Sequence, residues 1–331
     1  MTKLSIVMPS YNSDQYIARA IDSVLEQSFS DLEILIIDAG SQDETKRIAL
    51  SYKDQRVIFL EMIGSKQGEA RNYGIKKASG ELIMFLDSDD YLSDQDCIND
   101  CLNFINSYDA DFYNFSVRFC EGLSLIKTIS VGEDRVEEGS ENITKLGLNG
   151  AGIHTIPWNK IYRSSFLEHN KILFPKMKEQ EDMVFVIHCC AKAQKVAFCS
   201  RDIVYAEVRS DSLSRSMSLE NVLCCIEVFK QIEKLLTDLS LLTSCKNEFD
   251  NYVYRTSAYI MMMSTYRIAN KQEFSEALSK IKGSKYFSQE IRLFKIKGLK
   301  LSTIVSIIAL KYDLVLRTLR RFKRFKLIKG Y

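Results

Sequence analysis

Two carboxylates one residue apart, Asp87 and Asp89, follow the apolar run Leu82-Ile83-Met84-Phe85-Leu86, and Asp90 comes next. On an extended backbone, alternate side chains face the same way roughly 6–7 Å apart, and a turn brings them within reach of one shared cation. Hard oxygen ligands suit Mg²⁺ or Mn²⁺, and a shell only partly filled by protein leaves positions for phosphate oxygens. A diphosphate bridged in this way leaves more easily, because the metal offsets the charge that grows as its bond breaks. The plainer alternative is an acidic turn that stays hydrated or caps the next helix.

Other chemistry-bearing residues sit in similar places. Asp38 ends the apolar run Leu32–Ile37, where it either accepts a hydrogen bond from a base or sugar or makes the turn that Gly40 helps to relax. Tyr11 either stacks on a nucleobase or packs at the edge of the core. Arg71, within Gly68-Glu69-Ala70-Arg71-Asn72, either approaches phosphate or base groups or pairs with an acidic side chain. Glu181-Asp182 opens a predicted helix over Met183–Val186, where a carboxylate is held rigidly and helix starts favour acids in any case. The histidines His154, His169 and His188 have no metal-ligand spacing. His154, ahead of Trp158, either lines a pocket or is a hydrogen-bonded structural residue.

The elements that must position these groups alternate. Strands are expected over Leu4–Met8 (halted by Pro9), Leu32–Ile37, Arg56–Leu60 and Leu82–Leu86. Helices are expected over Asp14–Gln27, with Ser13 as a cap and Ile17, Ile21 and Val24 on one face, then over Asp43–Tyr52 and Gly68–Ala78. Alternation at these lengths implies an α/β fold with a mainly parallel sheet flanked by helices, since continuously apolar strands must be buried on both sides. Ser10–Asn12, Asp38–Ser41 and Asp87–Asp90 all follow strand carboxyl ends, where open α/β sheets form their ligand crevice. Beyond this, Phe112–Phe119 reads as a strand, Trp158–Phe185 as continued core and site material, and Leu219–Leu242 and Phe249–Ile281 as helices of an appended region.

Composition removes several classes. The chain has 331 residues, 46% hydrophobic and 27% charged, with 3 prolines and 14 glycines, which describes a folded protein without a long flexible linker. Nine cysteines with no C-x-x-C pair indicate reduced thiols in a cytosolic setting rather than a disulfide framework or zinc knuckle. There is no G-x-G-x-x-G turn, no G-x-x-x-x-G-K-[ST] loop and no G-x-S-x-G elbow, so a dinucleotide dehydrogenase, a P-loop ATPase and a serine hydrolase fit poorly. The opening MTKLSIVMPSYN lacks an apolar stretch of signal-peptide length, and no export is expected.

Six segments in order resemble glycosyltransferase family 2, a GT-A fold, in the branch that builds bacterial surface polysaccharides. They are Ile6–Asn12, Ile36–Asp43, Gly68–Gly74, Phe85–Asp90, Pro157–Arg163 and Glu181-Asp182, spanning about residues 3–215. The resemblance implies an inverting transfer of a sugar from a nucleoside diphosphate to a hydroxyl of a glycan or lipid-linked acceptor. It assigns Tyr11, Asp38 and Arg71 to the nucleotide pocket, Asp87 to the nucleotide-sugar, Asp89 to Mn²⁺ or Mg²⁺, and Asp182 to the general base. It assigns Glu181 and Trp158-Asn159-Lys160 to the acceptor and donor-sugar region. The family commonly has a second acid where this chain has Ala39, a carboxylate that often helps to recognise uracil, so Ala39 weakens a UDP donor without removing the diphosphate site. A nucleotidyltransferase, expected to be richer in glycine and basic residues near the first strand, and a non-catalytic carbohydrate-binding protein are the alternative readings.

The formal charge of +2 is unevenly spread. Residues 297–331 hold ten Lys or Arg and one Asp, a charge of +9, and leave −7 on the rest. Residues 301–310 are apolar but far short of the roughly 20 needed to span a bilayer. Lys311–Lys329 interleaves apolar and basic residues, which suggests a helix lying on an anionic membrane surface, or one packed on the protein with its basic side exposed. The acidic body has no basic stripe for nucleic acid, and no nucleic-acid partner is expected. The expected organisation is a catalytic domain over 1–215, a helical accessory region over 216–300 and a basic amphipathic segment over 301–331. The expected location is cytoplasmic, peripheral on the inner face of the membrane.

Overall fold

The structure is a computed structural model that describes residues 3–122, 124–208, 219–268 and 270–286. It divides into two compact units, residues 1–209 and 210–331.

In the first unit, β1 (Leu4–Ser10), α1 (Ile17–Leu25), β2 (Leu32–Asp38), α2 (Thr45–Ser51), β3 (Val57–Glu61), α3 (Gln67–Lys77) and β4 (Leu82–Phe85) alternate as the apolar runs require. β1 pairs with β2 and β4, and β2 with β3, all in parallel. Every residue of β1, β2 and β4 is buried, the two-sided burial that makes such strands continuously apolar. Ile17, Ile21 and Val24 of α1 are buried as their spacing predicts. Ser13 does not cap this helix through its side chain. Its carbonyl accepts from Tyr16 and Ile17, while its hydroxyl pairs with Ser88 at 2.7 Å.

β1 runs on through Pro9, contrary to the expected halt. The Val7 carbonyl accepts from Leu86 N–H just past the end of β4. Pro9, two residues on, therefore turns its donorless nitrogen to a side that β4 has already left. The next segment holds β5 (Tyr91–Leu92), α4 (Cys97–Ser107), β6 (Phe112–Glu121), β7 (Ser124–Ile129), β8 (Arg135–Glu138) and α5 (Ser140–Asn149). β9 (Lys160–Arg163), α6 (Ser164–His169), α7 (Glu181–Lys192) and β10 (Lys195–Glu207) complete the unit.

All ten strands form one sheet, with the path β3-β2-β1-β4-β9-β6-β10-β5, β7 on β6 and β8 on β10. β9 enters antiparallel between β4 and β6, and β10 runs parallel to β6. The strands β1, β2, β3, β4, β6 and β10 thus share one direction, and the sheet is mixed from β9 onward. This insertion puts the start of β9 beside the carboxyl end of β4, with Met84 opposite Ile161.

Close helix–sheet contact depends on a missing side chain at Gly74 of α3. A Cβ there would lie 2.3 Å from Val7 Cγ1 in the central strand. Gly74→Ala is expected to cost about 1–3 kcal/mol through overpacking, measured as a lower midpoint of thermal or urea unfolding. An unchanged midpoint would show that β1 and α3 do not pack this closely.

The second unit holds α8 (Leu219–Asp238), α9 (Lys246–Arg267) and α10 (Lys271–Gly283). The helix expected over 249–281 is two helices, because Asn270 starts a new one by accepting from Gln272 and Glu273 N–H. Phe229 packs edge-on against Tyr252 and Tyr286. The apolar run 301–310, the basic segment 311–329 and the amphipathic expectation for 301–331 lie outside the described residues. Among the described residues, no helix is long and apolar enough to cross a membrane. No disulfide joins the nine cysteines, all of which are described.

Candidate active site

The parallel strands deliver three polar turns to one edge of the sheet. Ser10 and Asp38 are direct neighbours in register, and their side chains bond at 3.0 Å. Asp38 is buried, and its carboxylate also accepts from the Ser41 hydroxyl and from the N–H groups of Gly40 and Ser41. Gly40 lies at φ +96°, which L side chains rarely adopt. Asn12 at φ +48° braces the same turn, with its Oδ1 accepting from Gln42 N–H. Asp38 therefore makes the turn, as one of its two readings expected. Tyr11 stands 58% exposed at this rim rather than packing at the core edge.

Arg71 links the other two acidic elements. Its side chain is fully buried on α3, with Nη1 donating to Asp182 Oδ1 at 2.6 Å and Nη2 to Asp87 Oδ1 at 2.8 Å. Glu181 lies 4.0 Å from Nη1, and the guanidinium sits over the Phe174 ring at 5.4 Å. Burial opposes the charge, but the surrounding carboxylates more than compensate and hold Arg71 protonated. The expected ion pair is thus present, and it joins residues 111 positions apart.

Asp182 is shifted strongly toward neutrality. Burial pushes its carboxyl up to about 7, against the opposing pull of Arg71 and with further upward push from Glu181 and Asp87. Glu181 is likewise raised by burial, although backbone N–H groups, including that of Gly68, and Arg71 pull the other way. Gly68 is needed for this approach, since a Cβ there would come within 2.7 Å of Glu181 Cγ.

The acidic turn gathers Asp87, Asp89 and Asp90, each with a carboxylate oxygen within 4.8 Å of the others. Asp90 is buried, accepts from Glu207 N–H at 2.9 Å, and is raised well above the usual carboxylate range by burial and then by Asp89 and Asp87. A divalent cation would relieve this repulsion, and three clustered hard oxygens are the donor set that Mg²⁺ or Mn²⁺ prefers. Arg19 supports the turn by donating to the Asp89 carbonyl at 3.0 Å, and Gln67 donates to Asp87 Oδ1 at 3.2 Å.

The remaining candidates sit at the head of β9. Trp158 is buried edge-on against Phe119, with centroids 5.9 Å apart. Asn159 and Lys160 are fully buried, and their polar atoms bond within the chain: Asn159 Nδ2 to the Phe115 carbonyl, and Lys160 Nζ to the carbonyls of His154 and Ile156 and to Asn159 Oδ1. They shape a loop from inside rather than presenting groups to the crevice.

Asp90, Gln67, Arg19 and Phe174 are site residues that motif reading left out. Asp90 stands inside the Phe85–Asp90 segment without an assigned role, and Gln67 opens the helix that carries Arg71. Arg19 and Phe174 carry no local signal, because only the fold brings them near.

The model of the Glycosyl transferase family 2 matches residues 5–170. The poly(ribitol-phosphate) beta-N-acetylglucosaminyltransferase TarS of Staphylococcus aureus is 30% identical over 211 residues, 62% of this chain and 35% of TarS. The chain therefore matches about a third of the length of that relative. The putative glycosyltransferase EpsH of Bacillus subtilis is 23% identical over 283 residues, 84% of this chain and 81% of EpsH. Among solved structures, S. aureus TarS 1-349 in complex with UDP-GlcNAc superposes with a TM-score of 0.73 at 22% identity, covering 99% of this chain and 95% of that one. The Pyrobaculum calidifontis mannosyltransferase PcManGT, in complex with GDP-Man and Mn²⁺, gives 0.52 at 12% identity, covering 98% and 88%. These neighbours share the GT-A-like fold, and with the family model spanning half of its length, this chain belongs to glycosyltransferase family 2.

Proposed function

We propose that this chain transfers a sugar, with inversion, from a nucleoside diphosphate to a hydroxyl of a cell-surface glycan or lipid-linked acceptor. The observation that carries this reading is the Arg71 bridge, which holds the candidate base Asp182 and the candidate donor residue Asp87 on one guanidinium. UDP-sugars are the favoured donors. The complex of TarS with UDP-GlcNAc supports them, although Ala39 supplies no second carboxylate for uracil. TarS is named for a poly(ribitol-phosphate) acceptor, which makes a polyol phosphate one acceptor to test.

Tyr11 offers an exposed ring for the base, beside the turn that Asp38 braces. Asp182 Oδ1 is held by Arg71, and we assign the proton transfer to Oδ2. As the acceptor oxygen attacks the anomeric carbon, its proton passes to Asp182, the new C–O bond forms, and the diphosphate departs from the opposite face with the bonding electron pair. No covalent enzyme intermediate is needed. Asp89, with Asp87 and Asp90, would hold Mn²⁺ or Mg²⁺, which when bound offsets charge on the leaving diphosphate.

A panel of UDP-GlcNAc, UDP-glucose and GDP-mannose with Mn²⁺ or Mg²⁺, against poly(ribitol phosphate) and lipid-linked oligosaccharides, tests this reading. The expected product has the anomeric configuration opposite to that of the donor. A retained configuration, or no nucleotide release with any pair, would overturn it.

Nucleotide-sugar use and nine cysteines without a disulfide fit a reducing, cytoplasmic location, and the basic residues of 301–331 fit the inner membrane face. Deleting residues 311–331 is expected to abolish co-sedimentation with phosphatidylglycerol vesicles at low salt. Undiminished sedimentation would reject membrane attachment through that segment.

A further inference from the structure

Arg19 of α1 and Glu207, the last residue of β10, lie outside every motif segment, yet both reach the acidic turn. Arg19 Nη2 donates to the Asp89 carbonyl at 3.0 Å, and Nη1 pairs with Glu207 Oε2 at 2.9 Å. The Glu207 N–H donates to Asp90 Oδ1 at 2.9 Å, and Glu207 Oε1 accepts from the N–H of Gly122, between β6 and β7, at 2.9 Å. The guanidinium also lies over the Tyr91 ring at 4.3 Å. Tyr91 stands opposite Tyr205 of β10 in register, with ring centroids 5.5 Å apart.

These bonds converge on one peptide group. A peptide unit is planar, so its C=O and N–H turn together. In the unit between Asp89 and Asp90, the carbonyl accepts from Arg19 and the N–H donates to the Asp87 carbonyl at 3.0 Å. Held at both polar ends, this unit sets the directions in which the Asp89 and Asp90 side chains leave the backbone. The Asp90 carboxylate is then held a second time, by the Glu207 N–H.

Charge alone does not account for Arg19. Three carboxylate oxygens within 4.8 Å of one another form the candidate cation site, and a guanidinium bonded to the same turn opposes a second positive charge there. The ion pair with Glu207 offsets part of that opposition while leaving Arg19 its hydrogen bond to the turn. An arginine placed here lowers cation affinity by its charge and raises it only by its geometry.

We propose that Arg19, held in place by Glu207, is a positioning residue that keeps the acidic turn in its cation-binding arrangement. Capture of the divalent cation then depends on α1 and the end of β10 as well as on Asp87, Asp89 and Asp90. This role rests on the metal-assisted reading of the site.

The test is Mn²⁺ binding by the full chain with saturating UDP, read as loss of the free-ion electron paramagnetic resonance signal. Wild type, Arg19→Met, Arg19→Lys and Arg118→Met are compared. Arg19→Met is expected to raise the Mn²⁺ Kd by about tenfold, the usual effect of losing a partner that orients metal ligands, whereas losing a positive charge would by itself lower it. Arg19→Lys keeps the charge but not two donors along separate directions, and is expected to raise the Kd by about threefold. It decides the matter if Arg19→Met does not fold. Arg118→Met is the control for charge, since Arg118 pairs with Asp202 at 2.7 Å and lies 5.7 Å over the Tyr205 ring, one strand further along the sheet. Its loss at physiological salt is expected to leave the Kd within about twofold. A folded Arg19→Met that binds Mn²⁺ as tightly as wild type, or more tightly, overturns the positioning role, and so does an equal weakening in Arg118→Met. Wild-type protein that takes up no Mn²⁺ with UDP or GDP overturns the metal reading itself, and the role of Arg19 with it.

Discussion

Asp182→Asn is expected to lower the rate of sugar transfer by about 10²–10⁴-fold, the usual worth of a general base, with little change in the UDP-GlcNAc KM. The substitution is nearly isosteric, and the amide oxygen can still accept from Arg71 Nη1, so the fold and the Arg71 bridge persist while the proton acceptor is lost. The pH dependence gives a second, independent readout. Burial sets Asp182 at about 7, so a base at this position is protonated and inactive at acidic pH. The logarithm of kcat/KM should rise with unit slope below that point and level off above it, and the residual activity of Asp182→Asn should lack this limb. Transfer unaffected by Asp182→Asn, or a variant that keeps the acid limb, would remove Asp182 from the role.

The half of the fold that positions the candidate donor residues was legible in the sequence because its strands are short, largely apolar and separated by helices of regular period. Ile34-Leu35-Ile36-Ile37 and Ile83-Met84-Phe85-Leu86 allow little except buried parallel strands. The polar residues after them had to fall at one edge, and the structure brings Asp38, Asp87, Asp89 and Arg71 there. β9 was not legible, because four residues beginning with Lys160 and ending with Arg163 have no strand-like alternation of their own. Their pairing is imposed by β4 and β6 on either side. Pro9 misled for a similar reason: a proline argues against a central strand only where a neighbour needs its N–H, and β4 ends before that point. Two of the ambiguous side chains were resolved by tertiary partners rather than by type. Asp38 makes its turn through Ser10, Gly40 and Ser41, and Arg71 makes its ion pairs with carboxylates that local sequence could not have specified.

Arg71→Met is expected to have the largest combined effect, on stability and on chemistry together. The guanidinium is fully buried, and removing it leaves Asp87, Glu181 and Asp182 close together with no cation between them. Breaking a buried ion pair in this way costs about 3–5 kcal/mol, which should appear as a strongly lowered unfolding midpoint. The sign of the kinetic effect follows from the same charges. Arg71 now pulls Asp182 downward against burial, so its loss moves the acid limb of the pH profile above 7 and leaves less ionised base at neutrality. Activity at pH 7 should fall by more than about 100-fold and recover in part toward pH 9, as far as the variant remains folded. Arg71→Lys should not restore the wild-type profile, because one point-like ammonium does not reproduce two bonds made along separate directions to Asp87 and Asp182. Arg71 Nε has no hydrogen-bond partner among the described residues, which places the whole orienting burden on the two Nη groups. An acid limb that stays in place or moves downward in Arg71→Met would show that Asp182 does not feel this charge, and the bridge between base and donor turn would then be structural only.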